Sequence, residues 1–347
     1  MSQAEFKITA EMSAKLKAIA IILMVAHHLF GFTTSNHYLS LLIIHGLPVE
    51  ILIGRFAKIC VAMFMFLSGY GYYQTLNFDK YDLGKNVNKI LRFYLHYSLV
   101  FLLFIPYGLY TNILNTDADV FFGNLFTVIS SYNGAWWFAG TYIQILIFYP
   151  VFIYFGRDKA IRIIVISLLL LSVAVLIQLF PNVGLFKYMG FMKNTFIWQV
   201  IFFQGYFFAK KSLFNYFTFI NKTWIIIITL IVLFCLRNAL PLDFSVYKSG
   251  QVVLSDFVFA PIFIFCLAFF LREKEGFLLK LSKHSTNIWL THMFFQYTYF
   301  SKFIFYPRIS IIVLFVELSC TIVTSICINF ILDSLYQLVN PTLKIAK

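Results

Sequence analysis

Long apolar segments, separated by short polar ones, make up almost the whole chain. A helix needs about 20 mostly apolar residues to cross the hydrocarbon layer of a bilayer, and continuous apolar runs lack the period-two alternation of a membrane barrel. The runs lie at 18–34, 57–76, 93–111, 134–155, 161–180, 196–209, 223–240, 251–271, 285–301 and 309–332. The sequence therefore predicts an all-α polytopic membrane protein with about ten transmembrane helices, in which residues 1–347 form one integral-membrane domain.

The composition excludes the other classes that a chain of 347 residues suggests. Charged residues make up 12% of the chain, whereas a soluble domain carries about 25%. The 44 Phe and 21 Tyr exclude intrinsic disorder, because such side chains require burial. A net charge of +13 on a soluble protein would suggest nucleic acid as a partner. In a membrane protein the partner is the lipid bilayer, and the basic residues indicate which segments face the cytoplasm.

The basic residues are distributed unevenly between alternate polar segments. If the N-terminus is cytoplasmic, 19 of the 27 Lys and Arg lie in inner segments and 8 in outer ones. The outer eight are Arg55, Lys58, Lys187, Lys193, Arg237, Lys248, Lys302 and Arg308. Because cytoplasmic loops are enriched in Lys and Arg, this division predicts that both termini are cytoplasmic.

A lysine and a histidine share one face of the first predicted helix. Lys17 and His28 are eleven residues apart, which is about three turns, and His28 would lie near the middle of the membrane. A neutral imidazole there is suited to act as a general base on a hydroxyl group. The structural alternative is a histidine that only bonds a neighbouring helix. His27 points elsewhere and is a second candidate.

Further polar residues cluster near the ends of the predicted helices. Lys89 and Arg92 share a face at the start of the third helix, where they are suited to binding phosphate groups or simply mark the cytoplasmic side. Ser68, beside Gly69 in an aromatic helix, indicates close helix packing. Trp136 is typical either of an interfacial aromatic belt or of a platform for stacking sugars.

Later helices contain the remaining candidates. Ser285 and His292 are seven residues apart and share a face. Trp137 adjoins Trp136 at the start of the fourth predicted helix and has the same two interpretations, an interfacial aromatic belt or a platform for stacking sugars. Glu317 and Asp256 are the only acidic residues well inside predicted helices, and either one is placed to orient His28 or to pair with Arg237. The five cysteines lie in apolar runs without metal-ligand spacing, so we expect no metal site.

Taken together, these motifs resemble the acyltransferase-3 family of bacterial integral-membrane O-acyltransferases, over about residues 14–295. The matching segments are Lys17 to His28, Phe66 to Tyr70, Lys89 to Arg92, Trp137-Phe138 with Tyr149-Pro150, and Leu281 to His292. Lys17 and Lys89 stand where the family commonly has Arg, which makes a two-pronged contact that Lys does not.

The resemblance implies an O-acetyltransferase in the bacterial cytoplasmic membrane. Its co-substrate would be acetyl-CoA, with no bound cofactor, and its carbohydrate acceptor a cell-envelope or exported polysaccharide. His28 would be the general base, Lys17, Lys89 and Arg92 would hold the CoA phosphates, and Ser68, Trp136, Trp137, Ser285, His292 and Glu317 would support the site or face the acceptor.

Two other classes stay open at this point. One is an envelope polysaccharide transporter or polymerase, and the other is a membrane acyltransferase with a lipid or protein acceptor. We expect no appended soluble domain, and the sequence leaves a homo-oligomer open.

Overall fold

The computed structural model describes residues 6–32, 37–40, 42–44, 46–156, 159–240, 249–272 and 276–339. These residues form fifteen helices, α1 to α15, and one hairpin of two short strands, β1 and β2. In chain order the helices are Ala10–Phe30, Val49–Ala57, Cys60–Leu76, Leu83–Tyr110, Ala118–Leu125, Trp137–Gly156, Ala160–Leu179, Phe186–Met189, Lys193–Lys210, Thr223–Ala239, Ser249–Phe270, Phe277–Ser282, Ser285–Met293, Ser301–Phe305 and Ser310–Val339. The strands β1 (Ile43–Ile44) and β2 (Leu47–Pro48) pair antiparallel ahead of α2.

Membrane-spanning length and hydropathy are found in seven helical segments of the described chain. They are Ala10–Phe30, Val49–Leu76, Leu83–Tyr110, Gly134–Gly156, Ala160–Leu179, Val252–Phe270 and Ser310–Gln337. The prediction of an all-α polytopic membrane protein is thereby confirmed. Each of the ten predicted runs overlaps a helix, but three of those helices are shorter or more polar than a full span. The count of ten and the sidedness of the termini stay predictions.

Several helices begin earlier than their apolar runs. The side chain of Thr9 accepts a hydrogen bond from Met12 N and caps α1, which therefore starts at Ala10 and ends at Phe30. His28 thus lies in the last turn of α1, whereas the run 18–34 placed it in the middle. Likewise α4 starts at Leu83, capped by Asp82, so that Lys89 and Arg92 lie within the helix and not at its first residue.

Two glycines bring α3 and α9 into direct backbone contact. A Cβ on Gly69 would overlap the carbonyl oxygen of Phe202, and a Cβ on Gly205 would overlap that of Phe66. Small residues at such crossings allow close van der Waals packing between membrane helices. This contact is the close packing that the Ser68-Gly69 pair predicts.

A buried ion pair ties α10 and α11 to the break between α2 and α3. Arg237 Nε lies 2.9 Å from Asp256 Oδ1, and Arg237 Nη1 donates to the carbonyl oxygens of Arg55 and Phe56 at 2.6 and 3.0 Å. Both charged side chains are fully buried. Asp256 is therefore the partner of Arg237, which resolves one of the alternatives that the sequence left open.

Candidate active site

Two histidines from distant parts of the chain meet at the end of α1. His28 Nδ1 lies 3.3 Å from His292 Nε2, and the two ring centroids are 4.8 Å apart. His292 is on α13, just before a π-helical turn over Phe294–Thr298. Within that turn the hydroxyl of Tyr297 donates to the backbone carbonyl of His28. The sequence placed His28 and His292 in one site without predicting their contact.

The hydrogen-bond partners assign the tautomers of this pair. His292 Nδ1 is 2.7 Å from the carbonyl oxygen of Trp289, which only accepts, so that Nδ1 carries the proton and Nε2 the lone pair. His28 Nδ1 is 3.0 Å from the carbonyl oxygen of Met24 and therefore also carries a proton, which it shares with His292 Nε2. The lone pair of neutral His28 is thus on Nε2, for which the described residues provide no hydrogen-bond partner.

The neighbouring His27 has a different hydrogen-bond partner from His28. Its Nδ1 donates to the carbonyl oxygen of Gly54 at 2.8 Å, and its side chain is buried between α1 and α2. Gly31 and Gly54 meet in the same contact, where a Cβ on Gly54 would overlap the backbone of Gly31. His27 therefore helps to join the two helices, and of the two adjacent histidines His28 is the one paired with His292.

His28 and the adjacent His27 both line a cavity of about 440 Å³, here called the histidine cavity. Its lining is mostly apolar and includes Trp137 and Tyr297. Lys58, which is 6% exposed and lies at the break between α2 and α3, lines the same cavity. The sequence counted Lys58 only as an outer-side charge, and the signal for its position is the break in the helix, which residue spacing does not reveal.

Lys17 and Lys89 line two adjoining cavities of about 430 and 420 Å³, here called the cationic cavities. Ser68 lines both of them, and Arg92 and Ser285 line one. Lys89 Nζ donates to Thr75 Oγ1 at 3.2 Å and stands 4.0 Å above the ring of Tyr72. The structure thus brings together the three cations that the sequence selected, with hydroxyl groups around them.

A second polar group that the sequence missed, His96, also lines a cationic cavity. Its Nδ1 is 2.7 Å from Asn287 Oδ1, and Asn287 Nδ2 donates to Ser325 Oγ at 3.0 Å. Ser325 Oγ is also 2.9 Å from His284 Nδ1, and burial together with the charge of neighbouring Lys283 lowers the pKa of His284. His96 lies four residues after Arg92, which is the helical spacing that could have indicated it.

Three aromatic side chains separate the histidine cavity from the cationic cavities. Phe64, Phe138 and Trp289 line both the histidine cavity and one cationic cavity, and they are called the aromatic partition below. The ring centroids of Phe138 and Trp289 are 4.9 Å apart, and those of Phe64 and Phe138 are 6.4 Å apart. The candidate base and the three cations therefore lie on opposite sides of a thin wall of side chains.

Two of the predicted residues lie away from these cavities. Trp136 is buried, and its Nε1 donates to the carbonyl oxygen of Leu290 at 3.0 Å, so it holds the turn before α6 against α13. Glu317 is fully buried in α15, and neither carboxyl oxygen has a hydrogen-bond partner within the described residues. It therefore neither bonds His28 nor pairs with Arg237.

The remaining supporting residues lie at the cavities. Ser285 is buried and lines the same cationic cavity as Lys17, and its hydroxyl has no hydrogen-bond partner in the described part of the chain, so it is available to a ligand. Trp137 lines the histidine cavity. No group of three His, Cys, Asp or Glu that would suit a metal ion occurs among the residues described.

The fold and the paired cavities define a class of protein, a multi-pass helical membrane protein with a candidate base and a cation cluster on opposite sides of a partition. The family model described as an acyltransferase domain matches residues 16–333, nearly the whole chain, and the protein belongs to the acyltransferase-3 family. The resemblance found in the sequence is thereby confirmed, and the protein is a membrane acyltransferase. Neither the curated proteins nor the solved structures include a match to this chain.

Proposed function

We propose that this acyltransferase moves an acetyl group from cytoplasmic acetyl-CoA to a hydroxyl group of a cell-envelope or exported polysaccharide. In this proposal it lies in the bacterial cytoplasmic membrane with both termini inside. The observation that carries the proposal is the separation of His28, with its Nε2 lone pair, from Lys17, Lys89 and Arg92 across the aromatic partition.

The cationic cavities suit the donor. Acetyl-CoA carries several phosphate charges at one end and its thioester at the other, joined by a slender pantetheine arm. Lys17, Lys89 and Arg92 supply charge-assisted contacts for the phosphates, and the hydroxyl groups of Ser68 and Ser285 supply neutral ones. The arm would then extend towards the aromatic partition and present the thioester at the histidine cavity.

The pair of His28 and His292 is arranged to take a proton from the acceptor hydroxyl. The oxygen of the acceptor hydroxyl attacks the carbonyl carbon of the thioester, and His28 Nε2 takes the proton that this hydroxyl loses. The resulting imidazolium is stabilised because its Nδ1–H is shared with the lone pair of His292 Nε2. The carbon–sulfur bond then breaks, the acetyl ester remains on the acceptor, and the proton passes from His28 to the departing thiolate.

Lys58 is placed to stabilise the negative charge that develops on the thioester oxygen during the reaction. It lines the histidine cavity among mostly apolar side chains, where a positive charge acts more strongly than in water. We propose that it stabilises the tetrahedral oxyanion, for which the sequence offered no donor.

Substitution of His28 tests the proposal. We expect His28→Ala to lower acetyl transfer by about 10²- to 10⁴-fold, the range typical of a lost general base, while the protein still inserts into the membrane. Lys85→Ala serves as the control, because Lys85 is exposed, pairs with Asp82 and lines neither kind of cavity. Full acetyl transfer by His28→Ala at equal membrane abundance would show that the proposal is wrong.

A further inference from the structure

A basic pocket of about 360 Å³ lies near the end of α1 at which His28 is found, a volume within the range of small-ligand sites. It is lined by His37, Ser301, Lys302, Phe305, Tyr306 and Arg308. None of these six residues is acidic, two carry a fixed positive charge, and two are aromatic. The mechanism described above uses none of them.

The chain connects this basic pocket directly to the histidine cavity. Tyr297 lines the histidine cavity, and Ser301 lines the basic pocket four residues later, a separation of at most about 14 Å of chain. Phe32 lines the histidine cavity, and His37, five residues later, lines the basic pocket. A ligand of several linked units is therefore long enough to occupy both places at once.

The backbone around the basic pocket is held in an uncommon conformation. Arg308 has φ of +59°, a left-handed value that costs energy for a residue with a side chain. Its carbonyl oxygen accepts from Leu39 N at 2.7 Å, which joins the two segments that line the pocket. Such strain persists only where surrounding contacts fix it, and it is frequent at ligand-binding sites.

The buried carboxylate of Glu50 joins the segment that contains Ser40 to the segment that contains Ser310. The oxygens of Glu50 accept from Ser40 Oγ at 2.9 Å and from Ser310 Oγ at 3.0 Å. Glu50 is 3% exposed and is not among the residues that line the basic pocket. Tyr306, which lines the pocket, is 85% exposed and so is accessible to a ligand.

The two fixed positive charges of the basic pocket lie in segments that the charge division assigns to the outer side of the membrane. Lys302 and Arg308 are among the eight basic residues that the charge division assigns to the outer side, where Lys and Arg are depleted. Arg237, another of the eight, is neutralised by Asp256. Two basic residues gathered with aromatic side chains in one outer pocket match a ligand that combines negative charge with sugar rings.

We propose that the basic pocket binds the negatively charged group, a carboxylate or a phosphate, of an anionic polysaccharide acceptor. Lys302 and Arg308 contact this group, the rings of Phe305 and Tyr306 pack against the adjacent sugar, and a hydroxyl further along the acceptor reaches His28. This inference rests on the proposed function and adds to it the charge of the acceptor.

Binding to the intact protein in nanodiscs of phosphatidylcholine, a zwitterionic lipid without net charge, tests the inference. The probes are an oligogalacturonide, which carries carboxylates, a short glycerol-phosphate oligomer, which carries phosphodiesters, and a neutral malto-oligosaccharide of equal length. We expect at least one anionic probe to bind about tenfold tighter than the neutral one, and the probe preferred identifies the source of the charge.

The variant for this test is Lys302→Gln combined with Arg308→Asn. Asparagine tolerates the left-handed conformation, so the charge is removed without added backbone strain. We expect the double variant to bind the preferred anionic probe about tenfold more weakly, and Arg308→Lys to retain most of the binding. Lys193→Gln, which removes another charge assigned to the outer side, should leave binding unchanged.

The outcomes separate this inference from the proposed function. Equal binding of all three probes, or full anionic preference in the double variant, would overturn the inference. Hydrolysis of acetyl-CoA by the same nanodiscs is measured in parallel and does not require an acceptor. If the wild-type protein neither hydrolyses nor transfers acetyl from acetyl-CoA, the proposed function is wrong even where the anionic probe binds.

Discussion

His28 Nδ1 and His292 Nε2, 264 residues apart in the chain, lie 3.3 Å from each other at the end of α1. The contact joins the first helix to the segment that ends in a π-helical turn, a feature frequent at functional sites. Because both Nδ1 atoms face backbone carbonyl oxygens, the pair leaves one lone pair, on His28 Nε2, for chemistry.

Substitution of His292 should slow the chemical step. In His292→Leu the imidazolium of His28 loses a hydrogen-bond acceptor, and a bond to a charged group contributes about 1.5–3 kcal/mol. We expect kcat to fall about ten- to a hundredfold while KM for acetyl-CoA stays the same. A rise in KM for acetyl-CoA with unchanged kcat would assign His292 to donor binding instead.

Substitution of Lys58 separates charge from shape. We expect Lys58→Met, which keeps the aliphatic stem, to lower kcat about a hundredfold, since loss of one oxyanion donor typically has that effect. Lys58→Arg, which keeps the charge, should recover part of the rate. Equal rates for Lys58→Met and the wild type, at equal membrane abundance, would exclude a role in stabilising the oxyanion.

Removal of charge from the cationic cavities should weaken donor binding. In the double variant Lys89→Ala with Arg92→Ala, we expect KM for acetyl-CoA to rise at least tenfold, because two charge-assisted contacts are lost. Lys85→Ala is the matched control, since Lys85 is on the same helix but exposed and paired with Asp82. If only the abundance of the double variant falls and KM is unchanged, the pair marks topology and does not bind the donor.

Two glycines of α3 offer a matched test of helix packing. Gly69→Ala places a methyl group against the backbone of α9, whereas a Cβ on Gly71 meets no atom within 4 Å. We expect Gly69→Ala to lower the Tm of the purified protein by several degrees, and Gly71→Ala to leave it unchanged or raise it, since alanine favours a helix by about 0.5–1 kcal/mol. Equal Tm values for the two variants would contradict the close contact.

The local features of this protein could be predicted from sequence, because they depend on helical spacing and hydropathy. Lys17 and Lys89 lie beside each other in the structure, and the apolar runs fall on helices. The ends of the apolar runs predict the ends of the helices less accurately than the runs predict the helices themselves. Polar helix ends such as Asp82 at α4 extend the helices beyond the apolar runs, and His28 consequently lies in a last turn.

The remaining features depend on contacts between distant segments, which spacing along one helix does not encode. Lys58 lies at a helix break, where the carbonyl oxygens of Arg55 and Phe56 accept from Arg237, more than 180 residues later in the chain. Trp136 turns inward because the carbonyl oxygen of Leu290 accepts from its indole. The sequence left His28 and Arg237 as the two possible partners of Asp256, and only the three-dimensional contact identifies Arg237 as the partner.

The O-acetyl signal in the NMR spectrum of the purified envelope polysaccharide tests the central claim most directly. It is compared between the wild type, a deletion strain, and the deletion strain complemented with either the wild-type gene or His28→Ala. We expect the signal in the wild type and in its complemented strain, and its loss in the deletion strain and with His28→Ala. An O-acetyl signal that persists with His28→Ala, or that survives deletion of the gene, would contradict acetyl transfer to this polysaccharide through His28.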